Sequence, residues 1–347
     1  MKVDYIIVGQ GIAGTMLSYQ LLQQGCKIVV VDTFNSASAS RVASGLINPV
    51  TGKRHVKTWM ADELIPAVSM YRQLEKELNQ TFLKPVSILN FHTSPEAQHS
   101  FNERVGTNSF VHHYNSQQED FKYEHGIGEI NGCLLVNLHL LLNTWREKLQ
   151  QSGLLLQEPF DIQDCAITTH NITYKSIEAD KIIFCDGAAA TRNPYFNHLP
   201  FRFNKGEAVI ARIPGLSPQF IYKRNLKIAP WQDDTFWIGA SFEWRYEHVS
   251  TTTAFIERVQ EELMHWLKLP YEIMTHMAAE RPSTIDYKPF IGLHPLFPSI
   301  GIFNGMGTKG CSLAPYFAKE FVLHLTNGSS ITKDADISRF YTIQATS

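Results

Sequence analysis

The chain has 347 residues, 44% of them hydrophobic and 18% charged, with 31 basic against 33 acidic side chains. That length suits about two soluble domains of roughly 100–200 residues each. The near-neutral balance provides no field of the kind that holds nucleic acid or an anionic membrane, so the expected partner is a small molecule.

In chain order, Tyr5-Ile6-Ile7-Val8 is an unbroken apolar run, the pattern of a parallel strand buried on both faces. Gly9-Gln10-Gly11-Ile12-Ala13-Gly14 follows, then a helical pattern through Leu17, Leu21 and Leu22 that ends at Gly25, then a second strand over 27–32. In this βαβ unit Gly9 serves a tight turn, Gly11 a close approach of backbone to pyrophosphate, and Gly14 the packing of helix on strand. The helix start at Ile12 and Ala13 offers free N–H groups to phosphate. Asp32, eighteen residues after Gly14, closes the second strand where it can accept from a ribose diol. The unit predicts a bound ADP moiety and does not by itself separate NAD from FAD. Its first strand starts so near Met1 that no signal peptide fits ahead of it, and no apolar run reaches the roughly eighteen residues of a membrane span. The expected location is cytoplasmic.

A Ser/Ala-rich stretch over 35–45 leads to a helix at 61–78 and an irregular, strand-like region at 82–132 without a phosphate-binding glycine turn. A helix over 138–151 stops at Gly153, and a strand over 181–185 precedes Asp186-Gly187-Ala188. Residues 201–279 alternate in strand fashion and contain one helix at about 253–267. A strand at 300–304 then leads into Gly305-Met306-Gly307-Thr308-Lys309-Gly310 and a helix over 314–325. The reading is an α/β protein in which a discontinuous Rossmann-like domain (1–80, 134–200, 280–347) receives a mixed β-sheet substrate domain in two pieces (81–133, 201–279). The five cysteines are odd in number and form no CxxC pair, and His112-His113 stand alone, so neither a disulfide framework nor a metal site is expected.

Ser40-Arg41-Val42-Ala43-Ser44-Gly45-Leu46-Ile47-Asn48-Pro49, the strand and turn over 179–188, Arg281-Pro282 through Asp286 to Pro289-Phe290-Ile291-Gly292, and Gly305 to Gly310 with Ala314-Pro315 follow one another in the order of a known family. Together these blocks resemble the D-amino acid oxidase and glycine oxidase superfamily along nearly the whole chain. The resemblance implies FAD, held without a covalent bond because the 281–292 block lacks the cysteine that sarcosine oxidase relatives link to flavin. Beyond the βαβ residues, it implies cofactor contacts at Ser40, Arg41, Ser44, Gly45, Leu46, Phe160, Asp186, Gly187, Gly305, Gly307, Thr308, Lys309 and Gly310. It places substrate at Arg281, Asn48 and Tyr222. Arg281 would grip a carboxylate with its planar fork, and Lys309 would stabilise negative charge at the pyrimidine end of the flavin.

The implied reaction is oxidation of the C–N bond of a small carboxylated amine, of the glycine, sarcosine or D-amino acid type, by hydride transfer to flavin N5. Molecular oxygen or another acceptor would then take the electrons. The run from Gly305 to Pro315 is also similar to the oxidase half of the bifunctional enzyme that completes a modified wobble uridine in tRNA. A chain without a basic cluster denser than Lys53-Arg54-His55-Val56-Lys57 is not expected to bind nucleic acid.

Overall fold

A computed structural model describes residues 1–341, which form two large sheets and one two-stranded ribbon. In the first, the strand Lys2–Val8 lies between Ile28–Val31 and Ile177–Phe184, parallel to both, and Ile300–Asn304 extends the sheet in parallel beyond Ile177–Phe184. The apolar run explains this central position. Tyr5 and Ile7 enter one core with the helices Ile12–Gln23, Leu138–Gln151 and Gly310–Asn327, while Ile6 and Val8 enter the core on the opposite face. Parallel strands end on the same side, so the turns after Val8, Val31, Phe184 and Asn304 gather along one edge, where such sheets bind ligands.

The last helix begins at Gly310, earlier than the apolar pattern suggests, and runs through Pro315. Proline has no N–H to give to the carbonyl four residues before it. The buried hydroxyl of Tyr71 donates to that carbonyl, Cys311 O, at 2.7 Å, so a side chain from another helix replaces the missing bond. This contact joins the helix Ser69–Leu78 to the helix start that faces the turn at Gly307 to Lys309.

The second sheet has nine strands and is mostly antiparallel. The helix Thr253–Trp266 covers one face through Phe255, Val259, Leu263 and Trp266; the other face, with Ile88, Ala208, Ile221 and Trp237, turns toward the first domain. Trp237 Nε1 donates across that boundary to Val42 O at 2.9 Å. Two details differ from the segment boundaries read in the sequence. The strand Glu272–Thr284 stays in this sheet past residue 279, because its partner Phe201–Arg212 pairs with it along its whole length. The short strand Leu46–Ile47 also joins it by pairing with Leu134 and Leu135.

Candidate active site

The N-terminal turn forms a cradle that side chains would fill. Gly9 has a φ of +100°, and a Cβ there would lie 2.5 Å from Cys185 O; one on Gly14 would lie 1.9 Å from Gly9 O. A Cβ on Gly11 would meet Ser40 Oγ at 3.0 Å. Ser40 Oγ accepts the Ile12 N–H at 3.0 Å, which leaves Ala13 and Gly14 with the open amides of the first turn and the Ser40 hydroxyl with its own proton to donate. No acidic side chain occupies the first turn of Ile12–Gln23 or of Gly310–Asn327, and the two helix starts touch, since a Cβ on Gly310 would meet Ile12 Cγ2 at 3.0 Å. Two positive dipole ends thus face one gap.

At the second strand's end, Asp32 Oδ2 accepts from Gln10 N at 2.8 Å. Its Oδ1 accepts from Phe34 N at 2.8 Å and from Arg146 Nη1 at 2.5 Å. The sequence gives no local signal for Arg146, which arrives from the helix Leu138–Gln151. Arg41 lies 4.2 Å and Arg146 5.6 Å from the Phe34 ring centroid, and burial together with Arg146 lowers the Arg41 pKa. Asp32 is therefore the counter-charge of a cationic corner, with carboxylate lone pairs left for a diol. Phe160 follows the strand Leu155–Leu156, which pairs with the end of the second strand, and packs on Tyr174 and Phe184.

The other end of the gap is knitted by Asn304, a residue that sequence reading passed over. Its Nδ2 donates to Asp186 Oδ1 at 2.9 Å and to Gly187 O at 3.0 Å, and its Oδ1 accepts from Gly305 N at 2.7 Å. Burial pushes the Asp186 carboxyl up to about 6. Thr308 is exposed beside this turn. Lys309 Nζ donates to Thr58 Oγ1 at 3.3 Å, and Thr58 Oγ1 donates to Asn48 O at 3.0 Å. Burial lowers the Lys309 pKa to about 8. Asn48 is thus beside the site through its carbonyl; its side-chain oxygen accepts from Val50 N at 2.9 Å and holds its own turn. Ser44 precedes Gly45, where a Cβ would lie 1.9 Å from Val136 O, and Leu46 pairs with Leu135, so this segment ties the cradle to the second sheet.

Arg281 stands on the face of the second sheet that looks toward the first domain. It pairs with Asn204, two residues from Gly206 on the same face, and its guanidinium fills the space a Gly206 side chain would take, with a Cβ there only 1.8 Å from Nη2. Its Nη1 donates to Asn204 Oδ1 at 2.6 Å and to Ser241 O at 3.3 Å, and Phe242 lies 4.6 Å from Cζ. No acidic partner reaches Arg281 among the described residues.

Tyr222 corrects the sequence reading. It is fully buried on the opposite face, packed on Phe121 and Phe220, and its hydroxyl donates to Ser217 O at 3.0 Å. Side chains alternate along a strand, so Tyr222 points away while its neighbours Ile221 and Lys223 point toward the site. Lys223 and its cross-strand partner Lys227, neither singled out from the sequence, line that face.

A glycine cradle at the edge of a parallel sheet, two helix starts on one gap and a second sheet roofing it define a two-domain oxidoreductase built around a dinucleotide. Its open amides, the cationic corner and the space kept by Gly11 fit FAD. The chain belongs to the DAO family: the family model described as FAD dependent oxidoreductase matches residues 4–322. The uncharacterized oxidoreductase YurR of Bacillus subtilis (strain 168) is 21% identical over 91% of this chain and 93% of its own. Glycine oxidase from Geobacillus kaustophilus shares the fold with a TM-score of 0.78 at 17% identity, covering 95% of this chain and 96% of that one. The L-alpha-glycerophosphate oxidase of Mycoplasma pneumoniae, solved with FAD bound, gives 0.75 at 15% identity over 97% of this chain and 99% of that one. No described helix is long and apolar enough to cross a membrane.

Proposed function

We propose that this FAD-dependent oxidoreductase oxidises the C–N bond of a small amine that carries a carboxylate. The observation behind this reading is Arg281, a cation on the cofactor-facing side that has no acidic partner among the described residues. Burial lowers its pKa to about 10, so it stays charged at neutral pH. Asn204 and Ser241 fix Nη1 and leave the other N–H groups to grip a carboxylate. Lys309, steadied by Thr58, would be the cation available to negative charge on the bound flavin. When bound, FAD supplies a two-electron acceptor: the substrate's α-hydrogen leaves as hydride, and water hydrolyses the resulting imine to a carbonyl compound and an amine. Molecular oxygen or another acceptor would take the two electrons from the bound cofactor.

Similarity in fold to a glycine oxidase supports the amine, and similarity to a glycerophosphate oxidase leaves C–O oxidation as the competing chemistry. The test is anaerobic bleaching of the flavin absorbance by glycine, sarcosine, D-amino acids and 2-hydroxy acids. Reduction by amines alone supports the reading. Reduction by hydroxy acids alone, or by none of the panel, overturns it.

A further inference from the structure

The roof of the site carries more positive charge than one carboxylate can balance. One row of directly paired residues crosses the second sheet from Asn90 through Lys223, Lys227 and Gly239 to Ala208. Paired residues project from the same face, and like charges placed directly opposite each other destabilise a sheet. Here two lysines are such a pair. Arg281 shares their face, and Lys227 is held down to about 8 by burial and by the charges of Lys223, Arg281 and Lys309. The imidazoles facing Lys223 do not add to the charge, because burial lowers both His55 and His92 to about 4.

Among the described residues, no acid pairs with Lys223, Lys227, Arg281 or Lys309. The chain can supply acids where a lysine is structural. On the opposite face of the same sheet, the buried Lys205 has Glu207 at 3.0 Å and Glu243 at 3.3 Å. The sheet's unpaired cations in this set, Lys223, Lys227 and Arg281, therefore lie on the face that looks onto the cofactor domain.

Lys309 is accounted for at the flavin and Arg281 by the substrate carboxylate, which leaves the lysine pair. Arg281 pairs with Asn204, four residues along the sheet from this row, so three strand spacings across and that offset put its backbone about 20 Å from that of Lys227; its guanidinium reaches back over Gly206, about 12 Å from the Lys227 backbone, and the lysine side chain shortens that gap. The indole of Trp237 is seated on Gly239, the residue next to Lys227 in that row, where a Cβ would be 2.9 Å from Cη2. That ring provides an apolar wall for the carbons joining two charged ends.

We propose that the site selects an amine bearing two anionic groups, one carboxylate at Arg281 and a second carboxylate or phosphonate-type oxyanion at Lys223 and Lys227. This rests on the assignment of Arg281 given under the proposed function. It adds a substrate class and two specificity-determining residues.

The experiment uses FAD-loaded protein titrated with glutarate and with butyrate, followed by the visible difference spectrum of the flavin. Glutarate should bind at least about tenfold more tightly, and Lys223→Met/Lys227→Met should bring the glutarate-to-butyrate preference to about one. Lys223→Gln and Lys227→Gln singly, checked for full FAD content, give intermediate preferences and guard against misfolding of the double variant. Equal binding of the two acids by the unaltered protein overturns the proposal. So does a preference that survives in the double variant, or a shift of flavin potential with no change in preference.

Anaerobic bleaching by D-glutamate, its phosphonate homologue and D-norvaline then separates the two anion chemistries. A lysine-dependent glutarate preference in a protein that no amine reduces would keep the dianion site and defeat the amine reading. Bleaching by D-norvaline as fast as by D-glutamate, without a glutarate preference, would do the reverse.

Discussion

Gly206 makes the seat of Arg281: a side chain on that glycine would coincide with the guanidinium, 1.8 Å from Nη2 and 2.2 Å from Cζ. The position of the arginine head is thus set by an absence on the neighbouring strand as much as by the bonds to Asn204 and Ser241. Gly206→Ala should expel the head without touching the cofactor cradle. The expected result is full FAD content and a raised KM that approaches the Arg281→Ala value, itself a loss of about 2–5 kcal/mol for a carboxylate left without its charged partner. Arg281→Lys should recover only part, since the two-pronged fork is missing. Unchanged KM in Gly206→Ala would show that the head does not hold substrate.

The cradle predicts a yellow protein that releases FAD, and not FMN, on denaturation. Gly11→Val should leave it colourless, because a branched side chain at Gly11 would push into Ser40 and the space for pyrophosphate. Absorbance of the purified variant and chromatography of the released flavin check this. A Gly11→Val protein with full FAD content would remove the cradle from the argument.

Lys227 and Lys309 should give stability and anion binding opposite responses to pH. Both have folded-state pKa values lowered from 10.5 to about 8. Between those values the unfolded chain binds more protons than the folded one, so stability of the cofactor-free protein rises with pH through that window. Anion affinity falls over the same range as the charges are lost, while Arg281 keeps its own up to its higher pKa. Urea midpoints and glutarate titrations at pH 7.5 and 9.5, each compared with Lys227→Met, isolate the contribution of Lys227. Affinity that stays flat to pH 9.5 would count against a charged lysine in the site.

Tyr71→Phe should cost about 1–3 kcal/mol, because it leaves Cys311 O buried without a donor. Adding Pro315→Ala to Tyr71→Phe supplies the missing N–H and should recover much of the loss. A fall of a few degrees in Tm that is not recovered would mean that the hydroxyl contact does not replace the helical bond.

Tyr222→Phe should leave kcat and KM unchanged and lower stability by about 1 kcal/mol, the worth of the bond to Ser217. A KM effect comparable to that of Arg281→Ala would return Tyr222 to the substrate side.

What the sequence determined by itself is local in origin. The apolar run Tyr5 to Val8, the glycines after it and Asp32 depend on neighbours within one βαβ unit, so their spacing alone marks the cofactor end. The blocks around Arg281 and Gly305 are likewise contiguous and carried the family resemblance through to the fold. The tertiary structure decided which side chains meet across strands and helices that are distant in the chain. Arg146 reaches Asp32 across 114 positions and Lys309 reaches Thr58 across 251, and neither spacing leaves a periodic trace. The sheet faces were decided in the same way. Because side chains alternate, a shift of one residue sends Tyr222 into the core and Lys223 toward the cofactor domain. That choice is made by cross-strand register and by the helix packed on one face, which no single strand records.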